Sequence, residues 1–276
     1  MKTLSSQKEA IAKLLRDDDP RTVDLVKNQL TLQGTSAIPS LQELLAMYDE
    51  RVTRHVQDVM GRIDSEEAAL ELGRVCESFA ENDDLESFCW LLARAMLPGT
   101  QIAEWLALLD QWAVQLMQFS HSSDTAEDRV RLLAHFLGGQ LGFHGNTEDY
   151  YNPDNTLLPR VIATRLGIPI TLTLLYMIIG RRCGLRIEGI NFPGHFLGRH
   201  DGVLFDAFER GRIIGTAECR QILSHQKLEL QPSHLETATP IAIARRILAN
   251  LLYVYQSDED LDAAGKVTLW LHALDR

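Results

Sequence analysis

Apolar residues recur at helical spacing over roughly residues 1–140. A helix is predicted over 4–16, and in the DDDP sequence after it Asp19 can cap, and Pro20 can open, a second helix. The segment SAIPSLQELLAMY predicts a third helix because its apolar residues keep the same spacing. Further helices are predicted over about 65–81, 84–97, 100–119 and 124–141. This part of the chain is therefore predicted to be helical.

The pattern changes after residue 142. A polar loop with two tyrosines, GNTEDYYNPDN, precedes helical patterns over 156–166 and 169–182. The second of these is apolar on almost all sides, which is typical of a buried helix. The segments LRIEGINF, HFLGRH and VLFDAF then alternate as strands do, with a DG turn before the last, and KLELQP is a candidate final strand. We predict a buried helix followed by a small antiparallel sheet.

Helical spacing returns near the C-terminal end of the chain. Thr239 and Pro240 can cap and open one helix, and SDED can start another. The predicted fold class is α+β and predominantly helical. Three regions are expected: a helical region over 1–120, a core over 121–236 and a helical hairpin over 237–276.

Composition and charge narrow the classes of partner. The net charge of −11 argues against nucleic acid, since phosphate binding needs a basic surface. The apolar run IPITLTLLYMIIG is about half of a membrane span, and the first residues lack the apolar segment of a signal peptide. We expect a cytoplasmic protein that binds neither nucleic acid nor membrane. The arginine pairs at 181–182 and 245–246 are predicted to be solvated.

No metal or cofactor site is predicted. The four cysteines lack C-x-x-C spacing, and His195 and His200 are five residues apart, which places them on opposite faces of a strand. The glycine-rich GGQLGFHG lacks the Lys-Ser/Thr ending of a phosphate-binding loop.

A His and an Asp after the buried helix form a candidate chemical site. His195 follows a Pro-Gly turn, and Asp206 ends the next predicted strand, so the two side chains can meet across the hairpin. A His that accepts a proton and an Asp that orients it serve nucleophilic catalysis, often with a thiol at a helix N-terminus. The alternative is a strand-edge His and a strand-end Asp with structural roles alone.

Four ordered motifs resemble the transglutaminase-like superfamily, and specifically its bacterial SirB-type branch. They are GN-x3-YYNPDN, R-x-GIPITLTLLY, GINFPGHFL and FDAF-x-x-G, which together lie within roughly residues 125–220. The resemblance implies that His195 and Asp206 match the catalytic His and Asp of the family. The helices before this segment resemble a HEAT-type repeat pair, and the C-terminal hairpin resembles half of a tetratricopeptide array.

The resemblance fails at the nucleophile. Active members carry Cys in a G-x-C turn that opens the buried helix, whereas the triplet here ends in Pro169. Thr171 is the candidate hydroxyl nearest to that position, although we expect it to bond back to a carbonyl one turn earlier. Cys183 lies fourteen residues beyond Pro169 on the same helix, about 20 Å away at 1.5 Å per residue. The resemblance therefore implies the fold without the thiol chemistry, a pseudoenzyme.

The loop before the buried helix is a candidate binding pocket. Asn146, Tyr150, Tyr151 and Asn155 combine amides with aromatic rings, which a peptide or small-ligand groove uses for orientation. The alternative is that the Asn residues only shape turns. Both readings stay open.

Two functions follow from the sequence. The favoured one is a non-catalytic binding or regulatory protein that docks a protein or peptide partner, and the net charge favours a basic one. The alternative is a residual hydrolase or transferase of amide or peptide bonds that uses the His195–Asp206 dyad. A third reading keeps the pocket as a relic, in which only the fold matters.

Overall fold

The computed structural model describes residues 2–47, 49–79, 83–120 and 125–275, and the chain divides into two compact units. Residues 1–72 and 91–100 form one unit, and residues 73–90 and 101–276 form the other. These units are defined by compactness, and the division into three regions stays a prediction.

The first unit is built from helices. They are α1 (Lys2–Leu15), α2 (Pro20–Leu32), α3 (Ile38–Met47) and the first part of α4 (Glu50–Glu77). Asp19 caps α2 through its side chain, which accepts a hydrogen bond from the backbone N–H of Arg21 at 3.0 Å, and Pro20 is its first residue, as predicted. The apolar faces of the helices form one core, which includes Leu15, Leu30, Leu41, Leu44 and Val56.

The start predicted for α4, at residue 65, is wrong. The helix begins at Glu50 because the Asp49 side chain accepts a hydrogen bond from the backbone N–H of Val52 at 3.1 Å. Val52, Val56 and Val59 then continue a buried stripe at helical spacing. The predicted end at 81, and the predicted start of a later helix at 124, lie outside the described residues.

Six helices of the described residues come between α4 and the C-terminal hairpin; the first is divided equally between the two units, and the other five lie in the second unit. They are α5 (Leu85–Met96), α6 (Ile102–Met117), α7 (Ala126–Ala134), α8 (Leu158–Thr164), α9 (Pro169–Arg182) and α10 (Thr216–His225). The pattern predicted over 124–141 continues after α7 as a π-helical turn, His135–Gln140. The bounds predicted for α9 are confirmed, and its residues are buried up to Gly180 apart from Met177.

A four-stranded antiparallel sheet follows α9, as predicted. Its strands are β3 (Glu188–Ile190), β4 (Leu197–His200), β5 (Val203–Asp206) and β6 (Arg212–Ile213), in that spatial order. The DG sequence at 201–202 makes the turn between β4 and β5, with positive φ at both residues. A separate parallel pair joins β1 (His144–Gly145) to β2 (Leu166–Gly167). The strand proposed for KLELQP is wrong, because that described segment is irregular and ends in a 3-10 turn.

The C-terminal hairpin consists of α11 (Pro240–Ser257) and α12 (Leu261–Leu274). The Thr239 and Asp260 side chains cap them by accepting backbone N–H bonds, as predicted. The predominantly helical α+β class is confirmed. Within the described ranges, no helix has both the length and the apolar character needed to cross a bilayer.

Candidate functional site

His195 and Asp206 are hydrogen bonded in the second unit. The Nε2 atom of His195 lies 2.7 Å from Oδ2 of Asp206, and their side chains are 18% and 7% exposed. Asp206 ends β5, as predicted, whereas His195 precedes the first residue of β4 by two positions. The His lies in a tight turn that closes when its N–H donates to the Phe192 carbonyl at 2.9 Å. The buried rings of Phe192 and Phe196 hold the two sides of this turn.

A second turn fixes the orientation of Asp206. Its Oδ1 atom accepts a hydrogen bond from the backbone N–H of Phe208 at 2.9 Å, and its carbonyl accepts one from Gly211 at 2.8 Å. A Cβ at Gly211 would lie 2.8 Å from the Tyr176 hydroxyl, so this turn packs closely on α9. Burial, with the Asp206 charge adding to it, raises the pKa of Tyr176, which keeps that phenol neutral beneath the carboxylate.

This geometry leaves one nitrogen of His195 available. When the protonated Nε2 donates its hydrogen bond to Asp206, the lone pair of the ring is on Nδ1. Nδ1 makes no hydrogen bond to any residue that the structure describes. In a ring that is partly exposed and held in one tautomer, Nδ1 can accept a proton from water or from a bound group, which is the function of a general base.

No thiol lies at the start of the buried helix. Pro169 is the first residue of α9, after Ile168 as N-cap. One turn later on the same stripe, Thr173 Oγ1 donates to the Phe196 carbonyl at 3.4 Å, so this stripe of α9 faces the segment that carries His195. Cys183 lies at the opposite end of the helix, where its thiol contacts the Ala113 carbonyl at 3.7 Å.

Thr171 is buried, but its surroundings differ from the expectation. The predicted bond back to a carbonyl one turn earlier is absent, and Oγ1 has no hydrogen-bond partner among the described residues. Two positions along a helix correspond to a rotation of about 200°, so Thr171 lies away from the Pro169–Thr173 stripe. Its role as a substitute nucleophile stays a prediction that this placement does not favour.

The amides of the polar loop are used within the loop. Asn146 Nδ2 donates to Asn155 Oδ1 at 3.0 Å, and Asn155 Nδ2 donates to the Asp149 carbonyl at 2.7 Å. Asn155 is 3% exposed, and the Asn146 backbone N–H bonds to the Gly167 carbonyl at 3.0 Å. These contacts favour the alternative in which the two Asn residues shape the loop that precedes α9.

The tyrosines of the same loop face outward and extend a row of rings from His195. Its successive members are His195, Phe208, Tyr150, Tyr151 and Tyr253, with ring centroids separated by 6.1, 6.1, 5.3 and 5.3 Å. Tyr150, Tyr151 and Tyr253 are 40%, 59% and 56% exposed. We call these five rings the aromatic row. It combines the dyad with two of the four predicted pocket residues.

Sequence reasoning missed Phe208, Tyr253 and Arg246 as neighbours of this site. The solvated placement predicted for the arginine pairs is wrong for Arg246, which is partly buried with its guanidinium 5.4 Å from the Phe196 ring centroid. It is also wrong for Arg182, which is 18% exposed and pairs with Glu86. Long side chains cover apolar surface when the helix packs, and a pair of basic letters does not reveal this.

Within the described ranges, no three His, Cys, Asp or Glu side chains lie close enough together to hold a metal ion. The site consists of a His–Asp pair, a helix start without a thiol, and the aromatic row.

Relatives of known sequence share this region. Residues 103–249 match the family model of the transglutaminase-like superfamily. A UPF0162 protein of Xylella fastidiosa (strain 9a5c) is 31% identical over 203 residues, which cover 68% of this chain and 72% of that protein. A UPF0162 protein of Pseudomonas aeruginosa is 32% identical over 66% of this chain and 68% of its own length.

A shorter match comes from a eukaryotic protein. Human F-box only protein 21 is 38% identical over 99 residues, which are 32% of this chain and 16% of that protein. No solved structure matches the chain. The family model covers more than half of the 276 residues and includes both turns that hold His195 and Asp206. This chain belongs to the transglutaminase-like superfamily.

Proposed function

We propose that this chain is a non-catalytic binding protein that holds an extended peptide at its transglutaminase-like site. The observation that carries the proposal is the aromatic row, which begins at the dyad and continues onto exposed tyrosines. Pro169 at the start of α9 supports it, because the resemblance matches this residue to the family's thiol and proline is not a nucleophile.

The spacing of the row suits an extended chain. A strand rises about 3.3 Å per residue, so side chains on one face recur every ~6.6 Å. The rings of the row are separated by 5.3–6.1 Å, which is close to that repeat. Tyrosine rings also offer an apolar face and a hydroxyl, the combination that orients peptides in grooves.

We also propose that a protein partner binds an exposed stripe of α2. This proposal accords with the HEAT-like and tetratricopeptide-like character proposed for the two ends of the chain, and with the proposed SirB-type branch. Leu25 and Leu32 are 63% and 80% exposed and lie seven residues apart on α2. Seven residues make two helical turns, so both side chains lie on one stripe. Replacing both with Ser should abolish partner capture and leave peptide binding unchanged; unchanged capture would remove this surface from the proposal.

A residual hydrolase is the second candidate, and the 2.7 Å bond between His195 and Asp206 favours it. In that reaction Nδ1 takes a proton from water while the water oxygen bonds to the carbonyl carbon of an amide. The C–N bond then breaks, and the proton passes from the imidazolium to the leaving amine. General-base catalysis of this kind contributes roughly 10²–10⁴-fold.

One experiment separates the two functions. Purified wild-type protein and the His195→Ala variant are incubated with a peptide library, and mass spectrometry records retained and altered peptides. Peptides retained without a change of mass support the binding function. Cleavage by the wild type that His195→Ala loses supports the hydrolase and overturns the non-catalytic proposal.

Variants of the row test where the peptide binds. Tyr151→Ala and Tyr253→Ala should each weaken retention by about ten-fold, since a buried aromatic contact is worth over 1 kcal/mol. Leu269→Ala, which removes an exposed apolar side chain on α12 outside the row, is the control and should bind as the wild type does. Equal losses in all three variants would show that the row is not the binding surface.

A further inference from the structure

Arg246 packs on Phe196, the residue that follows His195, and has no carboxylate partner in the described part of the chain. Its Nη1 donates to Asn191 Oδ1, and its guanidinium covers the Phe196 ring. Among the described residues it forms no ion pair. The chain has 38 acidic residues against 27 Lys and Arg, so acidic side chains are not scarce. A partly buried charge is costly unless it is paired, and here the pairing group is missing.

Three other arginines of the second unit show the contrast. Arg182 and Arg199, at 18% and 24% exposure, are paired with Glu86 and Glu188. Arg245, next to Arg246 on α11, pairs with Asp275 at 2.7 Å. Burial lowers the pKa of Arg246, and the negative charge that Tyr150 carries when ionised opposes this effect.

Arg246 and Tyr150 each contact a phenylalanine that adjoins His195. Phe196, under the guanidinium, directly follows His195 in the chain. The Phe208 ring lies 6.1 Å from both the His195 and the Tyr150 ring. Burial raises the pKa of Tyr150, against the opposing effect of the Arg246 charge, so its hydroxyl is a neutral donor at pH 7.

We propose that Arg246 and Tyr150 form a subsite for a carboxylate group of the bound peptide. The inference rests on the proposed peptide-binding function. It specifies the class of ligand as peptides that carry an acidic group next to the segment that faces His195. A guanidinium carries five N–H donors in a planar fork, and the hydrogen bond to Asn191 leaves others for a bidentate carboxylate. The net charge favours basic partners over the whole surface, but the Arg246 guanidinium supplies a positive charge at this position.

The carboxylate can be an acidic side chain or the C-terminus of the peptide. Both present the same two oxygens, and separate probes distinguish them. One peptide carries an internal Glu and an amidated C-terminus. A second has Gln in place of the Glu, and a third has no acidic side chain and a free C-terminal carboxylate.

A first measurement does not depend on peptide binding. N-acetylglutamate is titrated into the protein while NMR follows the Arg246 Nε–H signal and the Tyr150 ring, with N-acetylglutaminamide, which has no carboxylate, as the neutral probe. Saturable shifts are expected for the acid alone, and Arg246→Gln should abolish them. Arg245→Gln is the matched control and should leave them unchanged. Absence of a saturable shift in the wild type overturns the subsite even if peptides bind elsewhere on the row.

The second measurement uses the three peptides, labelled for fluorescence anisotropy. The wild type should prefer one of the carboxylate peptides over the Gln peptide by about ten-fold, the gain of one charge-assisted bidentate pair. Arg246→Gln should remove the preference and retain the weaker affinity for the Gln peptide. Tyr150→Phe, which keeps the ring, should reduce the preference by about three-fold.

The outcomes separate the two proposals. Equal binding of all three peptides by the wild type overturns the carboxylate subsite and leaves the peptide-binding function in place. Saturable N-acetylglutamate shifts without binding of any peptide support the subsite and overturn the peptide-binding function. A preference that survives in Arg246→Gln also overturns the subsite.

Discussion

One carboxylate oxygen of Asp206 bonds to the His195 ring, and the other accepts a hydrogen bond from the backbone of the turn that follows Asp206. Oδ2 lies 2.7 Å from His195 Nε2, while Oδ1 accepts the backbone N–H of Phe208 at 2.9 Å. The carboxylate therefore cannot rotate away from the ring without losing a hydrogen bond to its own turn. This arrangement persists in a chain whose helix α9 begins with Pro169.

Asp206→Asn should reverse the tautomer of His195. The amide oxygen can keep the bond to the Phe208 N–H, which turns the amide NH2 toward Nε2 and leaves Nδ1 as the protonated nitrogen. The free energy of unfolding should fall by about 1–2 kcal/mol, the value of a hydrogen bond to a charged group. Nitrogen-15 NMR at a pH where the ring is neutral should show Nε2–H in the wild type and Nδ1–H in the variant. Nδ1–H in the wild type would contradict the assignment of Nδ1 as the base.

Gly145→Ala should break the aromatic row without unfolding the protein. A Cβ at this position would lie 2.3 Å from the Phe208 ring, so the ring must leave its place between His195 and Tyr150. We expect at least about five-fold weaker peptide binding, because an aromatic contact is worth roughly 1 kcal/mol. Anisotropy titration measures this loss.

The control for that variant is Gly265→Ala on α12. A Cβ there meets no atom within 4 Å, and Ala is favoured over Gly in a helix by about 0.5–1 kcal/mol. The control should raise thermal stability slightly and bind peptide as the wild type does. Unchanged binding by Gly145→Ala would mean that Phe208 is not part of the binding surface.

Glu86→Gln should be the most destabilising of these changes. Glu86 is 8% exposed, receives the Trp90 indole N–H at 3.2 Å and forms ion pairs with Arg181 and Arg182 on α9. Removing the buried charge of Glu86 leaves Arg182 with the exposed Asp110 as its remaining partner, so we expect a loss of about 3 kcal/mol in denaturant titrations. Asp110→Asn removes the 68% exposed partner of Arg182 and should cost less than about 1 kcal/mol. Equal losses would show that burial is not the cause.

Glu188→Gln should destabilise the protein at neutral pH and much less in acid. Burial alone would raise the pKa of Glu188. Its bond to Arg199 at 2.8 Å and the nearby positive charges have a larger, opposite effect, so the pKa lies below the ordinary 4.5. An acid with a lowered pKa contributes stability that is present above its unfolded pKa and is lost as pH falls through the folded value. The variant should therefore lose about 1 kcal/mol at pH 7 and converge with the wild type in acid.

Thermal unfolding of both proteins across this pH range measures the convergence. Arg186→Gln, which removes the 84% exposed second partner of Glu188, should have little effect at any pH. A difference between Glu188→Gln and the wild type that stays constant with pH would indicate lost packing rather than lost charge.

The buried helix and the dyad could be predicted because their signals are local. Helix α9 is apolar on nearly all sides and starts at a proline, so both of its ends could be located from residues 169–182. Asp206 was predicted from a DG hairpin that sets the pairing of β4 with β5. The start of α4 was missed because its signal is the single cap Asp49, in a segment with many polar residues.

The rest of the site depends on contacts between distant parts of the chain. Tyr151 and Tyr253 are about a hundred residues apart, and no spacing rule connects them before the hairpin packs. Arg246 has the same sequence context as Arg245, yet one covers a ring and the other forms a surface ion pair. A sequence pattern gives the face of a helix, whereas the tertiary contact decides which side chain on that face is enclosed.

Helix α11 carries Arg246 and Tyr253 seven residues apart, two turns along one stripe. The chemical pair His195–Asp206 comes from other segments of the chain, which hold it by their own turns. The proposed ligand contacts and the His195–Asp206 pair thus lie on separate segments, so substitutions on one helical stripe can change what is bound while the pair stays in place. Such a division lets the ligand change while the fold is kept.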